Sequence, residues 1–153
     1  NEMNDFTAKP GVPNQFGLVQ GTANAIAPGK RPLSSMTPTI VLKNGKVFMV
    51  TGSPGGSTII TTALETILDV VDRGMNVAQA VDAPRIHQQW LPDIVYIEPH
   101  ALTPRVKAAL EKMGYRFRTR HQWGAAEAIV VRPDGVLAGA NDRRRPAGLA
   151  AGY

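Results

Sequence analysis

The sequence contains no cysteine among its 153 residues. A disulfide framework, a thiolate metal site and a cysteine nucleophile are therefore excluded. Aromatic residues make up only 6% of the chain, and they do not alternate with basic residues as they do in single-strand nucleic-acid binders. The positive excess is concentrated in two arginine-rich stretches, at 116–120 and 143–145, and such stretches are usually solvated faces. We therefore predict no nucleic-acid partner.

Long hydrophobic runs are missing as well. No apolar stretch reaches the roughly 18 residues of a membrane-spanning helix, and the first residues lack the basic-then-apolar pattern of a signal peptide. His100 and His121 have no metal-ligand spacing to each other or to a carboxylate, so we predict neither a metal site nor a cofactor. The first residue is Asn1 rather than methionine, which indicates that the chain begins inside a longer product.

The residues that are present suit one α+β domain spanning residues 1–153. Residues 1–38 form a loop-dominated stretch rich in Gly, Pro and Asn. Asn44-Gly45 predicts a hairpin between strands at 39–43 and 46–51. The helix predicted at 57–73 has an apolar face that we expect to pack on a sheet, formed by Ile60, Ala63, Leu64, Ile67, Leu68 and Val71. Further helices are predicted at 77–83 and 103–113, and further strands at 94–98, 115–119, 128–132 and 136–140.

A proline-glycine run, Gly52-Ser53-Pro54-Gly55-Gly56-Ser57, joins the second strand of the hairpin to the first helix. A turn of this kind can point successive backbone N–H groups at one place, as an anion nest or an oxyanion hole requires. Strand-to-helix turns also use glycine and proline for shape alone, so the run by itself leaves both interpretations open.

A second motif, Pro32-Leu33-Ser34-Ser35-Met36, places two adjacent hydroxyls between prolines and before a strand. Together with the glycine run and the segments 1–6 and 82–92, it resembles the γ-glutamyltranspeptidase (glutathione hydrolase) family over essentially the whole chain. The resemblance implies the C-terminal portion of the small subunit, and with it part of the αββα sandwich of N-terminal nucleophile hydrolases. It also implies a periplasmic or secreted bacterial enzyme that hydrolyses and transfers γ-glutamyl groups. Its partner would be the large subunit of the same self-cleaving precursor.

The same resemblance assigns roles to individual positions. The proposed roles are oxyanion hole for Gly55 and Gly56, binding of the substrate carboxylate for Ser34 and Ser35, binding of the substrate ammonium for Glu2 and Asp5, lid for Phe16 in the loop 10–17, and structural support for Arg85 and Arg144. Four positions depart from common family usage: Asn4 stands for Asp, Phe16 for Tyr, Asp82 for Asn, and Arg143 for Pro.

The family's nucleophile is a threonine at the start of the small subunit, which the resemblance places about forty residues before Asn1. No threonine of this chain occupies that context, so we predict that the chain alone is inactive. His87 is interpreted as structural rather than as a general base, because an N-terminal nucleophile uses its own α-amine. Two alternatives stay open: a cephalosporin acylase-like amidase of the same family, and a non-catalytic domain that binds γ-glutamyl compounds or amino acids.

Overall fold

The computed structural model describes residues 2–152, without the side chain of Glu2. Two short 3-10 helices, Glu2–Asp5 and Thr22–Asn24, lie in the first stretch. The strands are β1 Thr39–Lys43, β2 Lys46–Gly52, β3 Ile86–His87, β4 Val95–Ile97, β5 Phe117–Thr119, β6 Glu127–Val131 and β7 Leu137–Asn141. The helices are α1 Thr58–Val71, α2 Val77–Asp82 and α3 Pro104–Lys112.

The main sheet is antiparallel throughout, with the strand order β1-β2-β6-β7. The predicted Asn44-Gly45 turn is confirmed, since both residues have positive φ, at 52° and 75°. Helices α1 and α2 pack on one face of the sheet. The core between helices and sheet is a cluster of buried side chains, Met49, Val77, Val81, Ala126 and Ala128.

The other face of the main sheet is apolar and exposed. Ile40 pairs with Val50, and Val50 pairs with Ile129, so these side chains lie on the same face. Their exposed fractions are 64%, 41% and 46%, and Leu137 on β7 is 67% exposed. Because continuous apolar strands are normally covered, this face is suited to packing against another layer.

Helix α1 forms as predicted, but its packing differs from the prediction. Ile67 packs against the core, whereas Ile60, Leu64, Leu68 and Val71 are exposed. The buried face includes Thr58, Thr62, Ala63, Thr66 and Asp69. Thr58 and Thr66 are tolerated there because their hydroxyls donate to the backbone of the preceding turn, as Thr66 Oγ1 does to the Thr62 carbonyl at 2.8 Å. Thr62 Oγ1 is buried without a hydrogen-bond partner within the described residues.

The second sheet has the order β3-β4-β5, and β4 and β5 run parallel. Helix α3 forms the crossover that a parallel pair requires. Its predicted start is confirmed: Thr103 Oγ1 accepts from the Val106 N–H, and Pro104 occupies the first turn. The strand β3 was not predicted, because two residues give no periodicity.

Candidate functional site

The glycine run forms an open loop between β2 and α1. Gly55 and Gly56 have positive φ, at 147° and 59°, and neither N–H donates to an acceptor within residues 2–152. Ser53 braces the loop, since its Oγ accepts from the Ala125 N–H at 3.0 Å. The loop therefore presents two free donors on a fixed backbone, as an oxyanion hole requires.

The serine motif and the predicted lid both contact Gly56. Ser35 Oγ donates to the Gly56 carbonyl at 2.8 Å, while Ser34 is exposed and its Oγ accepts from the Met36 N–H. The ring of Phe16 lies so close to Gly56 that an added Cβ would stand 2.6 Å from Cδ1 and 2.8 Å from Cζ. The fold thus brings Ser35, Phe16 and the glycine pair together.

Asn24 connects the acidic segment to the serine motif. Its Nδ2 donates to the Asp5 carbonyl at 2.6 Å, and its Oδ1 accepts from the Leu33 N–H at 3.0 Å. Asp5 is thereby held near the residue that precedes Ser34. The proposed role of Glu2 lies outside the described side chains.

Gln89 links the lid to helix α1. Its Nε2 donates to the carbonyls of Phe16, at 2.7 Å, and Leu91, at 2.9 Å. Its Oε1 accepts from Ser57 Oγ at 2.6 Å and lies 2.9 Å from His87 Nε2. Because the carbonyl oxygens of Phe16 and Leu91 can only accept, the amide nitrogen of Gln89 must face them, which fixes the orientation of the amide.

That orientation also sets the tautomer of His87. Gln89 Oε1 is an acceptor, so His87 Nε2 carries the proton and Nδ1 faces Thr61 Oγ1 at 2.9 Å. Burial lowers the pKa of His87, which the hydrogen bond to Gln89 only partly offsets. His87 is accordingly a neutral, hydrogen-bonded ring that supports the glycine loop through Gln89.

A cavity of about 520 Å³ opens beside the glycine loop and the lid. Gly55, Thr58 and Phe16 line one part of it, and His87 and Gln89 another. Asp5, Ser34 and Ser35 do not line it. The glycine pair thus has the serine motif on one flank and a separate cavity next to it.

Arg85 and Arg144 form a buried ion network. Arg85 Nη2 lies 2.6 Å from Asp142 Oδ2, and Arg85 Nη1 donates to the Trp123 carbonyl at 2.7 Å. Arg144 contacts Glu98 through both Nε and Nη2, and Asp142 Oδ1 through Nη1. Burial alone would raise the pKa of Asp142, but hydrogen bonds from Arg144 and Arg85 outweigh it and lower that pKa. The network joins the ends of α2 and β7 beneath the loop that carries Trp123.

Two departures from family usage meet in this region. Arg143 Nε lies 2.7 Å from Asp82 Oδ2. The two positions at which we predicted departures from family usage therefore pair with each other. The pair is solvent-exposed on the arginine side, so its contribution to stability is small.

Glu65 is a further carboxyl group, partly buried and within reach of the charge of Arg85. Its Oε1 accepts from the Ile86 N–H at 2.9 Å, and its buried Oε2 has no partner within the described residues. Burial raises the pKa of Glu65 to about 7, although the Ile86 N–H and the charge of Arg85 act in the opposite direction.

Comparison with known proteins decides the family. The family profile described as gamma-glutamyltranspeptidase matches residues 1–152. The chain belongs to the γ-glutamyltranspeptidase family. Glutathione hydrolase proenzyme from Escherichia coli (strain K12) is 53% identical over 153 residues, covering 100% of this chain and 26% of the relative. The chain thus spans about a quarter of the length of that relative.

Solved structures give the same result for the fold. A γ-glutamyltranspeptidase variant from Helicobacter pylori has a TM-score of 0.88 and 54% identity, covering 94% of this chain and 79% of that chain. The transpeptidase CapD from Bacillus anthracis has a TM-score of 0.69 and 25% identity, covering 82% of this chain and 75% of that chain. The predicted α+β fold of the N-terminal nucleophile hydrolase type is confirmed.

Sequence reasoning missed three supporting residues of this γ-glutamyltranspeptidase chain. Asn24, Gln89 and Glu98 each contact partners 13 or more positions away. Local pattern carries no information on such contacts, although Glu98 stands out as a charged residue directly after the apolar stretch 94–97. No helix within residues 2–152 is long and apolar enough to cross a membrane, and the described residues contain no cluster of three or more metal-ligating side chains.

Proposed function

We propose that this chain is the C-terminal portion of the small, catalytic subunit of a γ-glutamyltransferase and glutathione hydrolase. The observation that carries the proposal is the pair of free N–H groups at Gly55 and Gly56, with Ser35 bonded to the Gly56 carbonyl and the Phe16 ring against Gly56. The names of the relatives, glutathione hydrolase proenzyme and γ-glutamyltranspeptidase, supply the substrate class.

The reaction begins when the hydroxyl of an N-terminal threonine, outside this chain, attacks the γ-carbonyl carbon of the substrate. A C–O bond forms, and the carbonyl electron pair moves to an oxyanion that accepts hydrogen bonds from Gly55 and Gly56. The C–N bond then breaks, and the leaving amine takes the proton that the threonine gave to its own α-amine. Water or an acceptor amine releases the acyl group in the second half of the reaction.

The amino-acid end of the substrate is held by polar side chains of this chain. Ser34 has a free hydroxyl hydrogen for its carboxylate, Ser35 can donate its own once it releases the Gly56 carbonyl, and Glu2 and Asp5 supply negative charge for its ammonium. The bridge through Asn24 supports this assignment, because it ties the Asp5 backbone to Leu33. Phe16 covers the site as a lid and is anchored through Gln89.

The large subunit of the same precursor is the partner. The exposed apolar face of the main sheet, formed by Ile40, Val50, Ile129 and Leu137, supports this, because a sandwich needs a second sheet against it. The word proenzyme in the relatives' names supports a precursor that is cleaved into two subunits. A periplasmic or secreted location stays a prediction, which cell fractionation tests.

The decisive experiment expresses this chain together with the upstream sequence of its own protein and compares γ-glutamyl-p-nitroanilide with a glutaryl amide. Turnover of the anilide alone supports γ-glutamyl transfer, since only that substrate carries the ammonium that Glu2 and Asp5 would bind. Preference for the glutaryl compound would instead indicate an acylase. Binding of γ-glutamyl compounds without turnover would indicate a non-catalytic domain.

The isolated 153-residue chain serves as the control, and we expect no turnover from it. Intact masses of the purified polypeptides show in the same preparation whether two subunits are present and whether the smaller one begins with threonine. Turnover by the isolated chain would refute the assigned position of the nucleophile.

A further inference from the structure

We propose that the cavity of about 520 Å³ beside Gly55 and Phe16 binds the carboxylate at the far end of peptide-like γ-glutamyl substrates, through Arg120 and Arg145. This inference rests on the proposed function. Glutathione carries one carboxylate on its γ-glutamyl group and a second on its terminal glycine. The serine motif accounts for the first, and the cavity accounts for the second.

The charge of the cavity wall favours an anion. Arg120 and Arg145 line the cavity, whereas no aspartate or glutamate does. Within residues 2–152 neither guanidinium forms an ion pair, unlike Arg116 with Asp93 and Arg132 with Asp134. Other exposed arginines of that range are also unpaired, and what distinguishes Arg120 and Arg145 is that both line one cavity. Both side chains are exposed at the cavity wall, where a guanidinium can bond a carboxylate through two N–H groups.

Both arginines start from well-anchored backbone. The Arg120 N–H donates to the Ile97 carbonyl at 2.9 Å, directly after β5. The Arg145 N–H donates to the Asp142 carbonyl at 3.1 Å, in the turn that the buried ion network holds. The Arg120 guanidinium also lies over the ring of Tyr96, 5.9 Å from its centroid. The backbone positions of Arg120 and Arg145 are therefore fixed by hydrogen bonds to the rest of the fold.

The dimensions suit a dipeptide leaving group. The bond to be broken lies at the N–H groups of Gly55 and Gly56, and Gly55 itself lines the cavity. Two residues of extended chain span about 7 Å, and pockets for small ligands have volumes of about 300–1,000 Å³. The cysteinylglycine part of glutathione can thus extend from the glycine pair into the cavity, with its carboxylate towards the arginines.

The test uses the assembled two-subunit enzyme with Arg120→Gln, Arg145→Gln and the double variant. Three substrates are compared: glutathione, its glycine ethyl ester, and γ-glutamyl-p-nitroanilide, whose leaving group has no carboxylate. We expect the KM for glutathione to rise about threefold to tenfold in each single variant and further in the double variant. The KM values for the ester and the anilide should stay within about twofold, which also shows that the variants fold.

Arg118→Gln is the matched control, because Arg118 is an exposed arginine on β5 that does not line the cavity. It should leave all three substrates unchanged. Equal losses on glutathione and the anilide, or an unchanged KM for glutathione in the double variant, would overturn the carboxylate subsite. Failure of the proposed function itself is distinguishable, since the unmodified enzyme would then turn over none of the three substrates.

Discussion

Replacing Gly56 by alanine tests whether the Phe16 ring rests on the proposed oxyanion loop in the active enzyme. Gly56 has a φ of 59°, and a Cβ there would stand 2.6 Å from Cδ1 of Phe16 and closer still to Cε1. The left-handed backbone alone costs alanine about 1–2 kcal/mol. The overlap adds to this cost and forces either the ring or the loop to move.

The expected loss of activity depends on whether the ring or the loop moves. If the loop moves, the Gly56 N–H leaves the oxyanion, and the loss of one such donor costs about 3–4 kcal/mol of barrier. We therefore expect Gly56→Ala to lower kcat/KM for γ-glutamyl-p-nitroanilide in the assembled enzyme by about 100-fold or more.

A double-mutant cycle with Phe16→Ala separates the two causes. Removing the ring relieves the overlap but not the backbone strain, so in the Phe16→Ala background Gly56→Ala should cost only about tenfold. Gly29→Ala is the matched control, because Gly29 has a φ of 70° and nothing lies within 4 Å of its added Cβ. Equal losses from Gly56→Ala in both backgrounds would refute the contact between the ring and the loop.

Four further predictions concern the supporting residues. Burial raises the pKa of Glu65 from its ordinary value of 4.5 to about 7. Its contribution to the free energy of unfolding is therefore fully present below pH 4.5 and is lost as the pH rises to 7, a decrease of about 3 kcal/mol at most. Glu65→Gln should remove this decrease in stability, which denaturation midpoints of the variant and the unmodified protein across pH 4–8 would show. Asp142→Asn should lower the free energy of unfolding by about 3–5 kcal/mol, because it removes the buried negative charge that pairs with Arg85 and Arg144. Asp134→Asn, at an exposed position, should change that free energy little in the same denaturation assay. Gln89→Leu should raise the KM for the anilide several-fold through a looser lid, whereas the exposed neighbour Gln88→Leu should not. Phe16→Tyr should alter the balance of hydrolysis and transfer by giving the lid a hydrogen-bond donor, and an unchanged dependence on acceptor concentration would contradict this.

The local signals in the sequence were sufficient for most elements of the fold. Asn44-Gly45 predicted the hairpin because the turn needs positive φ at both residues. Thr103-Pro104 predicted the start of α3 because a cap and a first-turn proline act within a few residues. The capping box of Asn76 and Gln79 at the start of α2 carried the same kind of signal and was overlooked.

The packing of α1 and the support of the candidate site could not be predicted in this way. Periodicity shows that a helix has an apolar stripe, but it does not show which surface covers that stripe. In α1 much of that stripe is exposed, and threonines are buried instead, among them Thr66, which donates to the backbone of its own helix. Gln89 joins Phe16 to Ser57 across separations of 73 and 32 positions, and no local pattern encodes contacts of that length.

The ion pair between Arg143 and Asp82 changes how one turn of the protein responds to its medium. A proline stiffens a turn through its ring, whatever the ionic strength. Here the same turn gains a contact between an exposed guanidinium and a carboxylate, 2.7 Å apart, and dissolved salt screens such contacts. The backbone that carries Arg144 and Arg145 is held mainly by the buried network of Asp142, so only the small part of its stability that the exposed pair adds should vary with the salt concentration of the solution.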